Sequence, residues 1–460
     1  MRIRQIVTAR GSGRKLAEAE TLQSVKYNDE IPPMDQTGAH PGDIEGGQII
    51  VHPGEVFQTW QGFGGAFTDS AASAWAAMDD KSRNKLIDAY FSPQGIGYNY
   101  GRMHIGSCDF SANAYSYIEE GDETLESFSL GREEKTVFAF VSAALERNKD
   151  IFLFASPWSP PLFMKDNGRY QGGRLLKRYY GLWADYIARY IREYAKQGVK
   201  ISAVTVQNEP RHAQLWESCV FTKEEELELA SDYLAARLKP LGVKIYVYDH
   251  CRERVFERAE YAFTRCGDID GIACHWYSGD YFDELSLTRR KFPDKDIIVS
   301  ESCVGLSSLP PDENAMWEAA GRYARDIAGD IRAGASAFCD WNLTLDERRG
   351  PCHFREHRPC VADAPAICDR QKGEVTLQPS FYAIGQFSKF IKKGARIIGC
   401  SKAFGDVETV AARNPDGEIV AVAVNCGEAK NVVLHMGEDV ARTRLEENGI
   451  TTFVFQPDRR

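Results

Sequence analysis

Strand-like and helix-like runs alternate eight times between about residue 55 and residue 394, and few folds accept such a pattern. The strand-like runs are 57–67, 98–105, 151–155, 201–206, 243–248, 271–276, 297–300 and 336–341. The helix-like runs that follow them are 70–90, 133–147, 175–197, 224–238, 253–265, 282–291, 316–332 and 381–392. Several strand-like runs are continuously apolar, as in Ile297-Ile298-Val299, which suits strands covered on both faces of a parallel sheet. Eight such units predict an α/β chain folded as a closed (β/α)8 TIM barrel rather than an open doubly wound sheet. Gly62, Gly64 and Gly65 do not match a phosphate-binding fingerprint, because no helix opens at the right spacing behind them.

The pattern changes at Ala395. Short alternating runs at 407–412, 419–425, 431–436 and 451–455, with the turn Pro415-Asp416-Gly417, predict an antiparallel β module. It has too few strands for a sandwich of its own, so strands from the N-terminal segment are expected to complete it. Gln48-Ile49-Ile50-Val51 is one such strand, and a short helix is expected around residues 14–20. The chain is thus divided into 1–54, contributing strands to the sandwich, a catalytic barrel over 55–394, and the rest of the sandwich over 395–460. A net charge of −10 argues against a nucleic-acid partner. No run approaches the ~20 apolar residues of a membrane span, and residues 1–10 lack the apolar core of a signal peptide, so a cytoplasmic location is expected. Twelve irregularly spaced cysteines, several inside strands, fit buried thiols in a reducing compartment. The sequence carries no signature of oligomeric state.

Every predicted strand ends in a polar or aromatic residue, and in a barrel these ends converge on one face. In order they carry Asp69, Arg102 to Asp109, Trp158, Asn208 with Glu209, Asp249, His275 with Tyr277, Glu301, and Trp341. Glu209 and Glu301 lie about 90 residues apart, each at the end of an apolar run, and two carboxyls across a cleft are what glycosidic bond cleavage needs. Trp158 stands among prolines, which favours a fixed stacking platform, although it and His275 also suit core positions. Asp69 is better placed to cap the following helix, or to make a hydrogen bond within the barrel, than to touch a substrate. Arg102 suits a buried partner that keeps Glu301 ionised. Cys352, His353, His357, Cys360 and Cys368 share one long loop over 343–378, but their intervals are irregular for zinc and a metal-free loop is expected.

The motifs at these positions resemble glycoside hydrolase family 30, the glucosylceramidase family. They are Gly62-Phe63-Gly64-Gly65-Ala66-Phe67-Thr68-Asp69, Ser107-Cys108-Asp109-Phe110-Ser111, Ala155-Ser156-Pro157-Trp158-Ser159-Pro160, Val204-Thr205-Val206-Gln207-Asn208-Glu209-Pro210, His275-Trp276-Tyr277, Ser300-Glu301-Ser302-Cys303-Val304-Gly305 and Asp340-Trp341-Asn342-Leu343. The resemblance implies a barrel with a β-sandwich built from both termini. It implies that Glu209 is the acid/base and Glu301 the nucleophile. It implies that Asn208 binds the sugar 2-hydroxyl, that Asp109, Trp158 and Trp341 hold the ring, and that His275 and Tyr277 flank the nucleophile. The loop after the eighth strand departs from the family pattern. It reads Arg348-Arg349-Gly350-Pro351-Cys352-His353, with Glu356 where the family places a sugar-contacting asparagine.

The function so implied is a retaining exo-β-glycosidase acting on β-D-glucosides by double displacement, with a β-linked glycoside as its partner and no metal or organic cofactor. Asp109 with Trp158 favours glucose. The alternatives are a β-1,6-glucanase or a β-xylosidase or β-fucosidase of the same family, and more remotely a non-catalytic carbohydrate-binding protein.

Overall fold

A computed structural model describes residues 1–27, 47–134, 136–306, 308, 311–353, 362–402 and 404–456. The chain divides into two compact units. One comprises Gly62–Asp312 and Ala335–Gln378, the other Met1–Gln61, Glu313–Gly334 and Pro379–Arg460.

The first unit is a closed parallel barrel. Its strands are β1 (Gly62–Phe67), β2 (Tyr100–Ile105), β3 (Phe152–Pro157), β4 (Ile201–Thr205), β5 (Lys244–Cys251), β6 (Gly271–His275), β7 (Asp296–Glu301) and β8 (Ala337–Asn342). Each pairs with its neighbours in sequence, and β8 closes on β1. Their near-total burial explains the apolar runs in the sequence. An interior layer interleaves large Tyr100, Phe154 and Tyr246 with small Ala203, Ala273 and Ala337 in one buried cluster. Gly64 is required where β1 meets β2, since a Cβ there would lie 1.6 Å from the Tyr100 carbonyl oxygen.

The second unit holds an eleven-stranded sheet, counted over the described residues. Arg2–Ala9 pairs with Ile450–Gln456, and Gly47–Thr59 lies between Arg396–Cys400 and Lys430–Met436. Strands from both termini therefore alternate in one sheet, as expected. The helices Glu313–Ala333 and Pro379–Ser388 pack on each other and on strands of this sheet. No described helix is long and apolar enough to cross a membrane.

Several local expectations are corrected. Residues 14–20 form no helix. Arg14–Glu18 is a strand paired with Arg2–Ala9, because the turn at Gly11-Ser12-Gly13 folds it back and pairing overrides helix propensity. The run 57–67 is two strands, Gly47–Thr59 of the sheet and β1 of the barrel, separated at Trp60-Gln61. The helix expected over 70–90 is two, Asp69–Ala76 and Asp80–Phe91, because Asp79 caps the second by accepting from the Ser82 N–H. Thr68, not Asp69, caps the first, and Asp69 accepts from the Ala112 N–H at 3.1 Å. Within the expected loop 343–378, Leu345–Asp346, Ala366–Asp369 and Glu374–Leu377 form a small sheet.

Candidate active site

Glu209 and Glu301 reach one cavity of about 490 Å3 at the carboxyl ends of the barrel strands, which Asp109, Trp158, Asn208, Tyr277 and Trp341 also line. A larger cavity of about 760 Å3 in the other unit, beside Trp317 and Arg322, has only exposed glutamates, Glu318 and Glu447, and offers no comparable pair.

Glu301 ends β7. Its Oε2 accepts from Arg102 Nη1 at 2.9 Å and its Oε1 from the Tyr277 hydroxyl at 2.8 Å. Glu209 stands beyond β4 with a positive φ of 46°, and its N–H donates to the Asp249 carbonyl at 2.9 Å. Its Oε2 accepts from Gln214 Nε2, five residues on in the same loop, at 2.6 Å. His275 lies between the two. Its Nδ1 is 3.4 Å from Glu209 Oε1 and 4.0 Å from Glu301 Oε1, and its Nε2 faces Asp249 Oδ1 at 3.0 Å.

Arg102 is fully buried beneath the pair. Its second arm donates to Asn208 Oδ1 at 2.9 Å and to Asp249 Oδ2 at 2.8 Å, so one guanidinium fixes Asn208, Asp249 and Glu301 together. Trp158 and Trp341 stack with centroids 5.5 Å apart and planes 25° apart, and the guanidinium lies over both rings. The structure thus brings together Glu209, Glu301, Asp109, Trp158, Asn208, His275, Tyr277, Trp341 and Arg102, while Asp69 lies apart from this cavity.

Sequence reasoning gave no role to Asp249 or Gln214. Asp249 is the hub of the floor, accepting also from Thr205 Oγ1 at 2.7 Å and Ser300 Oγ at 2.6 Å. Its place at a strand end was the only available signal. Gln214 comes from a loop with no pattern to mark it.

Burial alone would lower the pKa of His275, but Glu301, Asp249 and Glu209 surround it and raise it to about 9. Burial raises both carboxyls. At Glu209 the charged imidazole overcomes burial and brings the group down to about 2. At Glu301 burial, with the Glu209 charge behind it, outweighs His275 and Arg102, and the group stays above the ordinary carboxyl value. In this arrangement Glu301 therefore takes up a proton more readily than Glu209.

The Cys/His loop is only partly described. His353 Nδ1 meets the Ser111 carbonyl at 3.0 Å and its Nε2 lies 3.2 Å from buried Glu217, while Cys368 contacts Thr344 at 3.4 Å. Among the described residues no three His, Cys, Asp or Glu side chains are placed to hold a metal. His357, Cys360 and Glu356 lie outside the described residues.

Residues 60–391 match the model of the glycosyl hydrolase family 30 TIM-barrel domain, and 394–453 that of the family 30 β-sandwich domain. The chain is 33% identical to mouse lysosomal acid glucosylceramidase over 400 residues, 82% of this chain and 77% of that protein. It is 28% identical to an endo-1,6-β-D-glucanase of Neurospora crassa over 387 residues, 80% of this chain and 79% of the other. The crystal structure of SrfJ from Salmonella typhimurium superposes with a TM-score of 0.92 at 32% identity, covering 100% of each chain.

Proposed function

The chain belongs to glycosyl hydrolase family 30 and is a glycoside hydrolase, and on that premise we propose that it is a retaining exo-β-glycosidase that prefers β-D-glucosides. The observation that carries the reading is the single imidazole nitrogen facing both carboxylates, at 3.4 Å and 4.0 Å. Those contacts hold the two oxygens within about 7.4 Å of each other, which excludes the upper part of the ~6.5–9.5 Å inverting range and is compatible with the ~5–5.5 Å retaining one.

Glu301 attacks the anomeric carbon as the bond to the leaving oxygen breaks, and Glu209 gives that oxygen its proton. Water then adds to the anomeric carbon, Glu209 takes a proton from it, and Glu301 is released as carboxylate. This needs a proton on Glu209. Moving one from Glu301 to Glu209 leaves the net charge of the cluster unchanged. Arg102 and Tyr277, at 2.9 Å and 2.8 Å, already stand as donors to the ionised Glu301. A bound glycoside drives the same shift, because positive charge developing at the anomeric carbon favours Glu301 as the anion and the leaving oxygen favours Glu209 as the acid. Asn208, fixed by Arg102, takes the 2-hydroxyl, and Asp109, Trp158 and Trp341 clamp the ring.

The similarity to the Neurospora glucanase supports a second reading, endo-cleavage of β-1,6-glucan. His212, Gln214, Glu253 and Ser278 line the cavity alongside Glu209, and such a polar wall suits the hydroxyls of a leaving sugar. Hydrolysis of aryl β-glucoside, xyloside, fucoside and galactoside by wild type and Glu301→Gln, beside digestion of β-1,6-glucan, separates the readings. Turnover of the glucoside alone, abolished in the variant, is the expected result. Release of oligosaccharides from the glucan with no aryl glycoside turned over would replace it with the second reading.

A further inference from the structure

Strand β5 departs from regular parallel geometry beside the catalytic pair. Tyr248 and Asp249 both have positive φ, 77° and 40°, and the register against β6 shifts between Tyr248 and His250. Side chains with a Cβ adopt such angles at a cost, so something must hold them there. Glu226 Oε1 accepts from the Tyr248 N–H at 2.6 Å.

Glu226 reaches that point because of how its helix begins. Thr222 and Glu225 form a capping box that opens Lys223–Glu228, and the turn directs Glu226 inward, where its side chain is 4% exposed. Its other oxygen faces Arg258 at 3.5 Å. The segment it supports ends in Asp249, whose carboxylate meets Arg102, Thr205, Ser300 and His275 and whose carbonyl accepts from the Glu209 N–H. From there one step leads to each catalytic carboxyl, through Arg102 to Glu301 and through the backbone to Glu209.

We propose that Glu226 is a positioning residue for the reaction: by holding the Tyr248 N–H it sets the bulge that presents Asp249 to Arg102, His275 and the Glu209 backbone. The assignment rests on the glycosidase reading of this centre. Glu226 touches neither substrate nor the reacting atoms. A carboxyl here is a costly choice, since burial raises it to about 7 against the pull of Arg258.

The test is steady-state kinetics of wild type, Glu226→Leu and Glu226→Gln on an aryl β-glucoside. Leu fills the space but accepts nothing, and the Gln amide oxygen still accepts the Tyr248 N–H. The expected result is a kcat loss of about tenfold or more in Glu226→Leu with KM within about twofold, and recovery of most of that loss in Glu226→Gln. Should Glu226→Leu not fold, Glu226→Asp, which keeps the charge and withdraws the acceptor by one methylene, takes its place with the same expectation. Wild-type kcat in either truncating variant, or equal impairment in Glu226→Gln, overturns the proposal. Wild type inactive on every glycoside would instead overturn the glycosidase reading, and the proposal with it.

Discussion

Arg102 Nη1 donates to Glu301 Oε2 across 2.9 Å with almost no access to water, the guanidinium 0% and the carboxylate 11% exposed. Its other arm holds Asp249 at 2.8 Å, so two anions depend on one cation. Such a buried group is replaced at great cost, because each partner left behind is an unpaired charge.

Arg102→Lys keeps the charge and loses the fork. A single ammonium cannot bond Glu301, Asp249 and Asn208 at once. We expect kcat/KM on an aryl β-glucoside to fall by about 100-fold or more. Arg102→Met, which removes the charge, is expected to lose about 3–5 kcal/mol of stability in denaturant titrations. Wild-type kinetics in Arg102→Lys would mean that the floor is not what sets the Glu301 geometry.

The proposed roles of the two glutamates differ in how an added anion acts on their variants. Glu209→Ala should still react with a glycoside carrying an activated aryl leaving group, then stall at the covalent intermediate, because no base deprotonates water. Turnover is expected to drop by about 10²–10⁴-fold. Azide needs no base, so it should restore the rate and yield a β-glycosyl azide. In Glu301→Ala azide should attack from the vacated face and yield the α-product. Swapped products, read by NMR, would exchange the two assignments.

Much of this centre was legible because a buried parallel strand writes itself as an apolar run, and its end is marked by the first residue that cannot be core. Ile297 to Val299 followed by Ser300-Glu301, and Ile201 to Val206 followed by Gln207-Asn208-Glu209, are such endings. Trp158 was marked by the prolines around it. What escaped depended on backbone angles and distant partners. Asp249 is a hub because Tyr248 and Asp249 take positive φ, which their side chains do not encode. Glu226 reads as one more charge in Glu224-Glu225-Glu226, and only the packing of its helix turns it inward. Arg14–Glu18 has helix-forming residues, but its conformation is set by pairing with Arg2–Ala9.

Trp158 packs in the core of the site, and the proposed function also gives it a face of the sugar to bind. It is 1% exposed, stacks on Trp341 and lies under the Arg102 guanidinium at 4.9 Å. Trp158→Ala is expected to cost about 3–5 kcal/mol of stability and to raise KM for the glucoside. Trp158→Phe keeps a ring and should recover most of the stability while KM stays above wild type, because the smaller face covers less of the sugar. An unchanged KM in both variants would remove Trp158 from the sugar clamp and leave it as core alone.

His275 makes a prediction about pH and stability. Its pKa is raised from the ordinary 6.5 to about 9 in the folded chain, since the surrounding carboxylates overcome burial. A raised pKa means that the folded state holds a proton that the unfolded state gives up. The stabilisation is therefore complete below about pH 6.5 and is lost as pH climbs through about 9. A shift of this size corresponds to about 3 kcal/mol. His275→Asn lacks the titration. The stability of wild type relative to this variant, from urea unfolding at intervals between pH 5 and pH 10, should be flat on the acid side and then fall by about that amount across the alkaline window. A difference that stays constant over the whole range would mean that folding leaves the pKa of the ring unshifted and that the carboxylates around it do not hold it charged.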